Sequence, residues 1–171
     1  MVTVVLATYS DEWSNRFQRE RARIIEALGD SALVIEHVGS TSVPKLMAKP
    51  VIDIVLVVPD TIDETSYVPA LENSGYKFRL REPDWYEHRL LRRENPAANL
   101  HVFPPECSEV DTMIAFRDHL RSDTADRARY EAAKRELAKR EWPTVQHYAD
   151  AKTDVIKDIV VRAMARRHSQ H

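Results

Sequence analysis

The sequence predicts an α+β fold, a mixed β-sheet covered by helices and followed by three C-terminal helices. Three observations predict it. Strand-like runs concentrate between roughly residues 30 and 105. One of them, 51–58, is aliphatic throughout except for Asp53, as a strand buried on both faces must be. From about 108 to 167 the chain turns into charged, Ala-rich stretches with helical spacing. The 171 residues suffice for one core, and no repeat or linker divides them, so one domain spanning 1–171 is expected.

The first helix is predicted over 10–28. Trp13, Phe17, Ile24 and Leu28 line one face, Ser10 is placed to cap the start, and Gly29 to accept a left-handed end. A short strand over 33–38 runs into the small-residue turn of Gly39, Ser40, Thr41 and Ser42, and the strand 51–58 follows. A second helix is predicted over 64–74, where Pro69 is tolerable only near the first turn. Strands over 76–81, 88–93 and 99–103 come next, the last two joined by a hairpin, so the sheet should be largely antiparallel. Helices over 110–120, 125–140 and 145–166 complete the chain, broken at Ser122-Asp123 and Trp142-Pro143.

The charge balance narrows the function classes. Lys and Arg number 25 against 27 Asp and Glu, a net charge of -2, so no global field draws nucleic acid or an anionic membrane. A nucleic-acid partner is not favoured, although the Lys/Arg-rich last helices leave a tRNA-like ligand open. The single cysteine, Cys107, excludes a disulfide framework and multi-cysteine zinc sites, and it reads as a packing residue in a reducing compartment. The mostly apolar opening Val2 to Ala7 gives way to a polar stretch at Tyr9 to Trp13, too soon for a signal peptide, and nothing approaches a membrane span of about 20 residues. A cytoplasmic protein without a membrane partner is expected. The exposed faces of the three last helices do not separate solvent from a subunit interface.

An aspartate inside the most apolar strand points to a site. Burying a carboxylate without partners costs several kcal/mol, so Asp53 must be hydrogen-bonded, ion-paired or holding a metal. The preceding Gly39-Ser40 turn can bring N–H groups and a hydroxyl close to it, a combination suited to phosphate and magnesium. His37, Asp53 and His101, if they face one way, would form a two-histidine, one-carboxylate centre favouring Mn, Fe, Ni or Zn. The alternative is that His37 bridges the sheet edge and Glu36 pairs with an arginine. For His101, a metal ligand, a phosphate donor and a hydrogen-bonded sheet residue all stay open.

Cations that could complete an anion pocket are Lys49, Arg117, Lys134 and Lys152. Arg117 and its neighbour Asp118 should point apart on their helix, which frees at least one for another partner. Tyr130 with Lys134, and Tyr148 with Lys152, are each four apart, so each pair shares a helical face. They read either as a clamp around a base and its phosphates or as rings packed on lysine stems.

The stretches IEHVGSTSVP (Ile35 to Pro44) and AKPVIDI (Ala48 to Ile54) strongly resemble the GrpB family, also known as UPF0157. The later pieces NLHV (Asn99 to Val102) and FRDHLR (Phe116 to Arg121), with the two Tyr–Lys pairs, resemble it too, so the likeness runs over nearly the whole chain. The resemblance implies a branch of the nucleotidyltransferase superfamily, whose signature is a Gly-Ser turn followed by an Asp-x-Asp or Asp-x-Glu strand. Gly39, Ser40, Thr41 and Ser42 would then lie along nucleotide phosphates, with Ser40 and Asp53 catalytic and Asp53 the first metal ligand.

The implied cofactors are a divalent metal, Mg or Mn or another transition metal, and a nucleoside triphosphate as ligand or substrate. The implied acceptor is an unidentified small molecule or protein. The sequence departs from the signature at Val55, where the second acid should stand. That departure carries the alternative of a degenerate module that binds a nucleotide or protein partner without catalysis. Fusion of GrpB-like segments to dephospho-coenzyme A kinase domains in other proteins would place such a partner in coenzyme A metabolism. A third reading makes His37, Asp53 and His101 a hydrolytic or redox metal site unrelated to nucleotides.

Overall fold

The computed structural model describes residues 1–171. Helix α1 (Glu12–Leu28) buries Trp13, Phe17, Glu20 and Ile24 on one face. The backbone N–H of Glu12 donates to the Ser10 hydroxyl at 3.2 Å, and Gly29 ends the helix at φ +55°. Strands β1 (Val34–Val38), β2 (Ile52–Val57), β3 (Lys77–Glu82), β4 (His88–Arg93) and β5 (Ala98–Phe103) form one five-stranded sheet in the order β1-β2-β5-β4-β3. Only β2 and β5 run parallel, so the expected mixed and largely antiparallel sheet is present.

Register decides which residues share a face, because side chains alternate along a strand and paired residues point the same way. Val38 pairs with Asp53, Asp53 with Asn99 and Asn99 with Arg92. One face therefore carries Asp53, Asn99 and Arg92, with Val55 and His101 paired one step along. The other face carries Ile52, Ile54, Leu56, Leu100 and Val102, which join Trp13, Phe17 and Ile24 of α1 in the main apolar core. Glu20 of α1 is drawn into that layer because two donors meet it. The Tyr76 hydroxyl donates to it at 2.5 Å and Arg93 at 2.6 Å, tying α1 to the sheet.

The predicted helix over 64–74 is shorter than expected. A 3₁₀ turn (Glu64–Ser66) precedes α2 (Val68–Asn73), which starts where Pro69 can sit in the first turn without losing a hydrogen bond. At the C-terminus there are four helices rather than three: α3 (Ser108–Ser122), α4 (Thr124–Ala138), α5 (Val145–Ala151) and α6 (Thr153–Ser169). The predicted helix over 145–166 breaks at Lys152, whose N–H bonds the Ala149 carbonyl three residues back, at 3.2 Å.

Helix α3 covers the end of the site face distal to Asp53, packing Val110 against Val38, Val55, Val57 and Phe103. Cys107, its cap residue, is buried in that cluster as a packing residue. Helices α4 and α6 close over the turn region through Val43, Leu46, Leu120, Tyr130 and Ile159. The N-terminal segment is stitched across the molecule by bridges of Ala7 to Ala48 and Val2 to Trp142, which brings Leu6 to the rim of the site. No helix is long and apolar enough to cross a membrane.

Candidate functional site

The turn between β1 and β2 is built around Gly39. Its φ of +72° with ψ of -176° belongs to a region open essentially to glycine alone. A side chain there would also collide with the site, since a Cβ would stand 2.7 Å from Asp53 Oδ2. The turn then closes on itself. The Ser42 hydroxyl donates to the Gly39 carbonyl at 2.5 Å, and the Thr41 hydroxyl donates to the Val51 carbonyl at 3.1 Å while meeting His37 Nε2 at 2.9 Å. The Ser42 hydroxyl thus closes the turn, and the Thr41 hydroxyl fastens it to β1 and to the residue before β2. Ser40 faces a cavity, with the buried Tyr130 phenol beside it.

That cavity measures about 460 Å³, and Asp53 lies at its floor with Asn99. The Asn99 amide donates to Asp53 Oδ1 at 3.1 Å and accepts from Arg92 at 2.9 Å. Enclosure pushes the Asp53 carboxyl up, but His101, Asn99 and Lys49 outweigh it and hold the group below its ordinary value. Four cationic side chains, Lys49, Arg92, Lys134 and Lys152, surround this single carboxylate. Burial, reinforced by the charge of Lys152, pushes the Lys134 ammonium down to about 7. Burial and the charge of Lys49 push Lys152 down to about 8. Lys134 donates to the Met47 carbonyl and lies 5.0 Å over the Tyr130 ring, and Lys152 lies 4.7 Å over the Tyr148 ring. Both Tyr–Lys pairs are therefore ring-on-cation contacts, and both lysines reach the cavity.

His101 Nε2 stands 3.6 Å from Asp53 Oδ1, and both side chains are partly exposed, although His101 itself is not among the residues that line the cavity. The distance is too long for a hydrogen bond. It suits two ligands of one ion, since atoms each about 2.1 Å from a metal stand about 3–3.5 Å apart. A second ion has no ligand of its own, because Val55 is fully buried against α3.

Several expected site residues are not there. His37 pairs with Ile54, so it lies on the opposite face from Asp53 and His101, stacked on Phe17 at 4.9 Å. The two-histidine, one-carboxylate centre is therefore not formed. Burial pushes the His37 imidazole down to about 4, as befits a core residue. Arg117 is also outside the cavity, donating to Glu36 at 2.6 Å, to the His37 carbonyl at 3.0 Å and to Asp118 at 2.9 Å. Adjacent helical positions do not prevent that last contact, because the guanidinium folds back along its long stem. Glu36 has the arginine partner that the alternative reading gave it. Ser42 and Tyr130 support the turn without lining the cavity.

Sequence reasoning missed Arg92 and the role of Asn99. Each carried a signal: Asn99 is two residues before His101 and so shares its face, and Arg92 stands four after His88 on the neighbouring strand. A second polar cluster, His119 with Asp123 and Asp126, brings ligand atoms within 4.8 Å of one another. It is already occupied by protein charge. Arg162 grips both oxygens of Asp126 at 2.7 and 2.8 Å, holding that carboxyl far below its ordinary range, and Arg166 lies 3.7 Å from Asp123.

Comparison with known proteins places this geometry among relatives. The family model described as GrpB protein matches residues 3–162. A UPF0157 protein of Halalkalibacterium halodurans is 53% identical over 163 residues, covering 95% of this chain and 84% of the relative. The crystal structure of conserved protein GrpB from Enterococcus faecalis superposes with a TM-score of 0.85 at 28% identity, over 95% of this chain and 99% of that one. The Cid1 poly(U) polymerase with Mg 3′-dATP bound shares the fold at a TM-score of 0.51 and 15% identity, over 78% of this chain but 44% of its own.

Proposed function

The chain belongs to the GrpB protein family, and on that premise we propose that it binds a divalent metal–nucleoside triphosphate complex above Asp53, as a nucleotidyltransferase-like protein. One observation carries the reading. Asp53 lines a cavity that also takes four cationic side chains, and the His101 imidazole stands 3.6 Å from its carboxylate, just outside that lining. A metal–triphosphate complex presents both signs of charge, and this cavity answers both. Its volume of about 460 Å³ falls within the roughly 300–1,000 Å³ of small-molecule sites.

Asp53 and His101 would hold the ion, which when bound neutralises phosphate charge and polarises a phosphoryl oxygen. Lys49, Lys134 and Lys152 draw the remaining phosphate oxygens, and Ser40 adds a hydroxyl at the turn. Val145 and Tyr148 supply an apolar wall for a base. The likeness to a polymerase fold that holds Mg 3′-dATP supports a nucleotide over other polyanions. Transfer would move a nucleotidyl group to a small-molecule or protein acceptor and release pyrophosphate.

A thermal-shift panel of ATP, CTP, GTP, UTP and coenzyme A precursors, each with Mg or Mn, tests the reading on wild type and Asp53→Ala. A ligand at 100 times its Kd stabilises by about 2.7 kcal/mol, which is roughly 5–10 °C for a chain of this size. The expected result is a metal-dependent shift that Asp53→Ala abolishes. Equal shifts in both proteins would sink it.

The burial of Val55 favours a second reading, a domain that binds a nucleotide or a partner in coenzyme A metabolism without catalysis, because two-ion phosphoryl transfer lacks its second carboxylate. Pyrophosphate release that depends on Ser40 and Asp53 would reject that reading.

A further inference from the structure

Behind His101 runs a chain of hydrogen-bonding side chains that leads away from the cavity to the edge of the sheet. Glu82 on β3 pairs in register with His88 on β4, and its Oε1 is 3.1 Å from His88 Nδ1. His88 Nε2 is in turn 3.1 Å from His101 Nδ1. His88 is buried, and its ring is wedged between Trp85, at 4.9 Å between centroids, and Phe103, at 4.8 Å, so it is held in one orientation.

The chemistry of each group sets the direction of the chain. A carboxylate only accepts, so His88 Nδ1 carries the proton that Glu82 receives. The neutral ring then offers Nε2 as an acceptor, so His101 must donate from Nδ1. In the neutral form of His101 its Nε2 is left as a bare lone pair, 3.6 Å from Asp53 Oδ1. Two acceptors at that separation do not bond to each other, and a cation between them satisfies both. Resting on the metal reading of Asp53 above, we propose that Glu82 and His88 are positioning residues that present the His101 Nε2 lone pair, so that Asp53 and His101 form an oxygen–nitrogen pair selecting Mn²⁺, Co²⁺ or Zn²⁺ over Mg²⁺.

The selection follows from ligand preference. Imidazole suits the later first-row ions, whereas Mg²⁺ is held by oxygen and water. Partners that orient a ligating histidine through its second nitrogen typically change metal affinity by about 10–100-fold when removed. Glu82 is well placed for a test, since its side chain is 45% exposed on an edge strand, outside the apolar core.

Glu82→Lys reverses the chain, because an ammonium only donates: His88 then donates from Nε2 and His101 from its own Nε2, towards Asp53. Glu82→Gln loses the charge but keeps an acceptor oxygen. Mn²⁺ and Mg²⁺ affinities would be measured without nucleotide, and ring tautomers read by long-range ¹H–¹⁵N NMR on the metal-free protein. The wild type should show His101 protonated on Nδ1. Glu82→Lys should move that proton to Nε2 and lose about 10–100-fold in Mn²⁺ affinity while changing Mg²⁺ by less than about threefold, and Glu82→Gln should stay within about threefold for both. A wild-type proton on His101 Nε2, or a Glu82→Lys protein that binds Mn²⁺ like wild type, would overturn the proposal; the first result needs no variant to fold. Metal binding with no nucleotide binding would overturn the proposed function and leave this assignment standing.

Discussion

Replacing Gly39 by alanine tests how closely the turn and the site are built together. The backbone there has φ +72° and ψ -176°, a conformation that costs a non-glycine residue about 1–3 kcal/mol. The added Cβ would meet Asp53 Oδ2 at 2.7 Å and Asp53 Cβ at 3.1 Å, so the carboxylate must move, and forced repacking adds about 1–3 kcal/mol. Gly29 provides the control. It also has positive φ, +55°, but a Cβ there meets nothing within 4 Å. Gly29→Ala should therefore lose only the backbone term. The difference between the variants, about 2 kcal/mol, corresponds to roughly 4–8 °C in Tm for a chain of this length. Paired thermal melts, with and without Mn–ATP, measure it. Gly39→Ala should melt below Gly29→Ala and show no ligand shift, because its carboxylate is displaced. If the two melted within about 1 °C of each other and both kept the ligand shift, the contact between turn and carboxylate would have no part in the site.

Arg117→Ala should destabilise the fold by about 1–3 kcal/mol, since it strands Glu36 and the His37 carbonyl, yet leave triphosphate affinity unchanged; denaturant melts and calorimetry separate the two. Stability and anion affinity should move in opposite directions with pH. Lys134 and Lys152 titrate near 7 and 8 in the folded state but near 10.5 when unfolded, so between those values the unfolded chain binds more protons and stability rises with pH. Triphosphate affinity needs the ammonium forms and should fall from pH 7 to 9, and Lys134→Met should flatten both trends in a pH-resolved thermal-shift series. Val55→Asp should not restore a second metal ligand. It places a carboxylate in a closed apolar cluster and should cost several kcal/mol, read as a lowered denaturation midpoint without added Mn²⁺ stoichiometry.

The strands were legible because their chemistry is local. The aliphatic run of β2, broken only by Asp53, and the hairpin before β5 announce a buried central strand and its neighbours. Asp53 was legible for the same reason, as a charge where no charge belongs. The face of His37 was not, because alternation says only that Glu36 and His37 face opposite ways. Which of them joins Asp53 depends on the antiparallel register set by the 39–51 connection. The pairing of Arg117 with Asp118 escaped a rule about helix faces because a long side chain can fold back. The break at Lys152 has no glycine or proline to mark it. Arg92 was hidden because the predicted hairpin leaves the register open, and only the pairing of Arg92 with Asn99 puts it on the face of Asp53.

The most direct test of a metal–nucleotide site at Asp53 is anomalous scattering from Mn²⁺ in crystals grown with a non-hydrolysable triphosphate analogue. The expected result is a manganese peak between the Asp53 carboxylate and His101 Nε2, with phosphate oxygens against Lys49, Lys134 and Lys152. A peak instead among His119, Asp123 and Asp126, or a nucleotide bound away from the Gly39 turn, would contradict it.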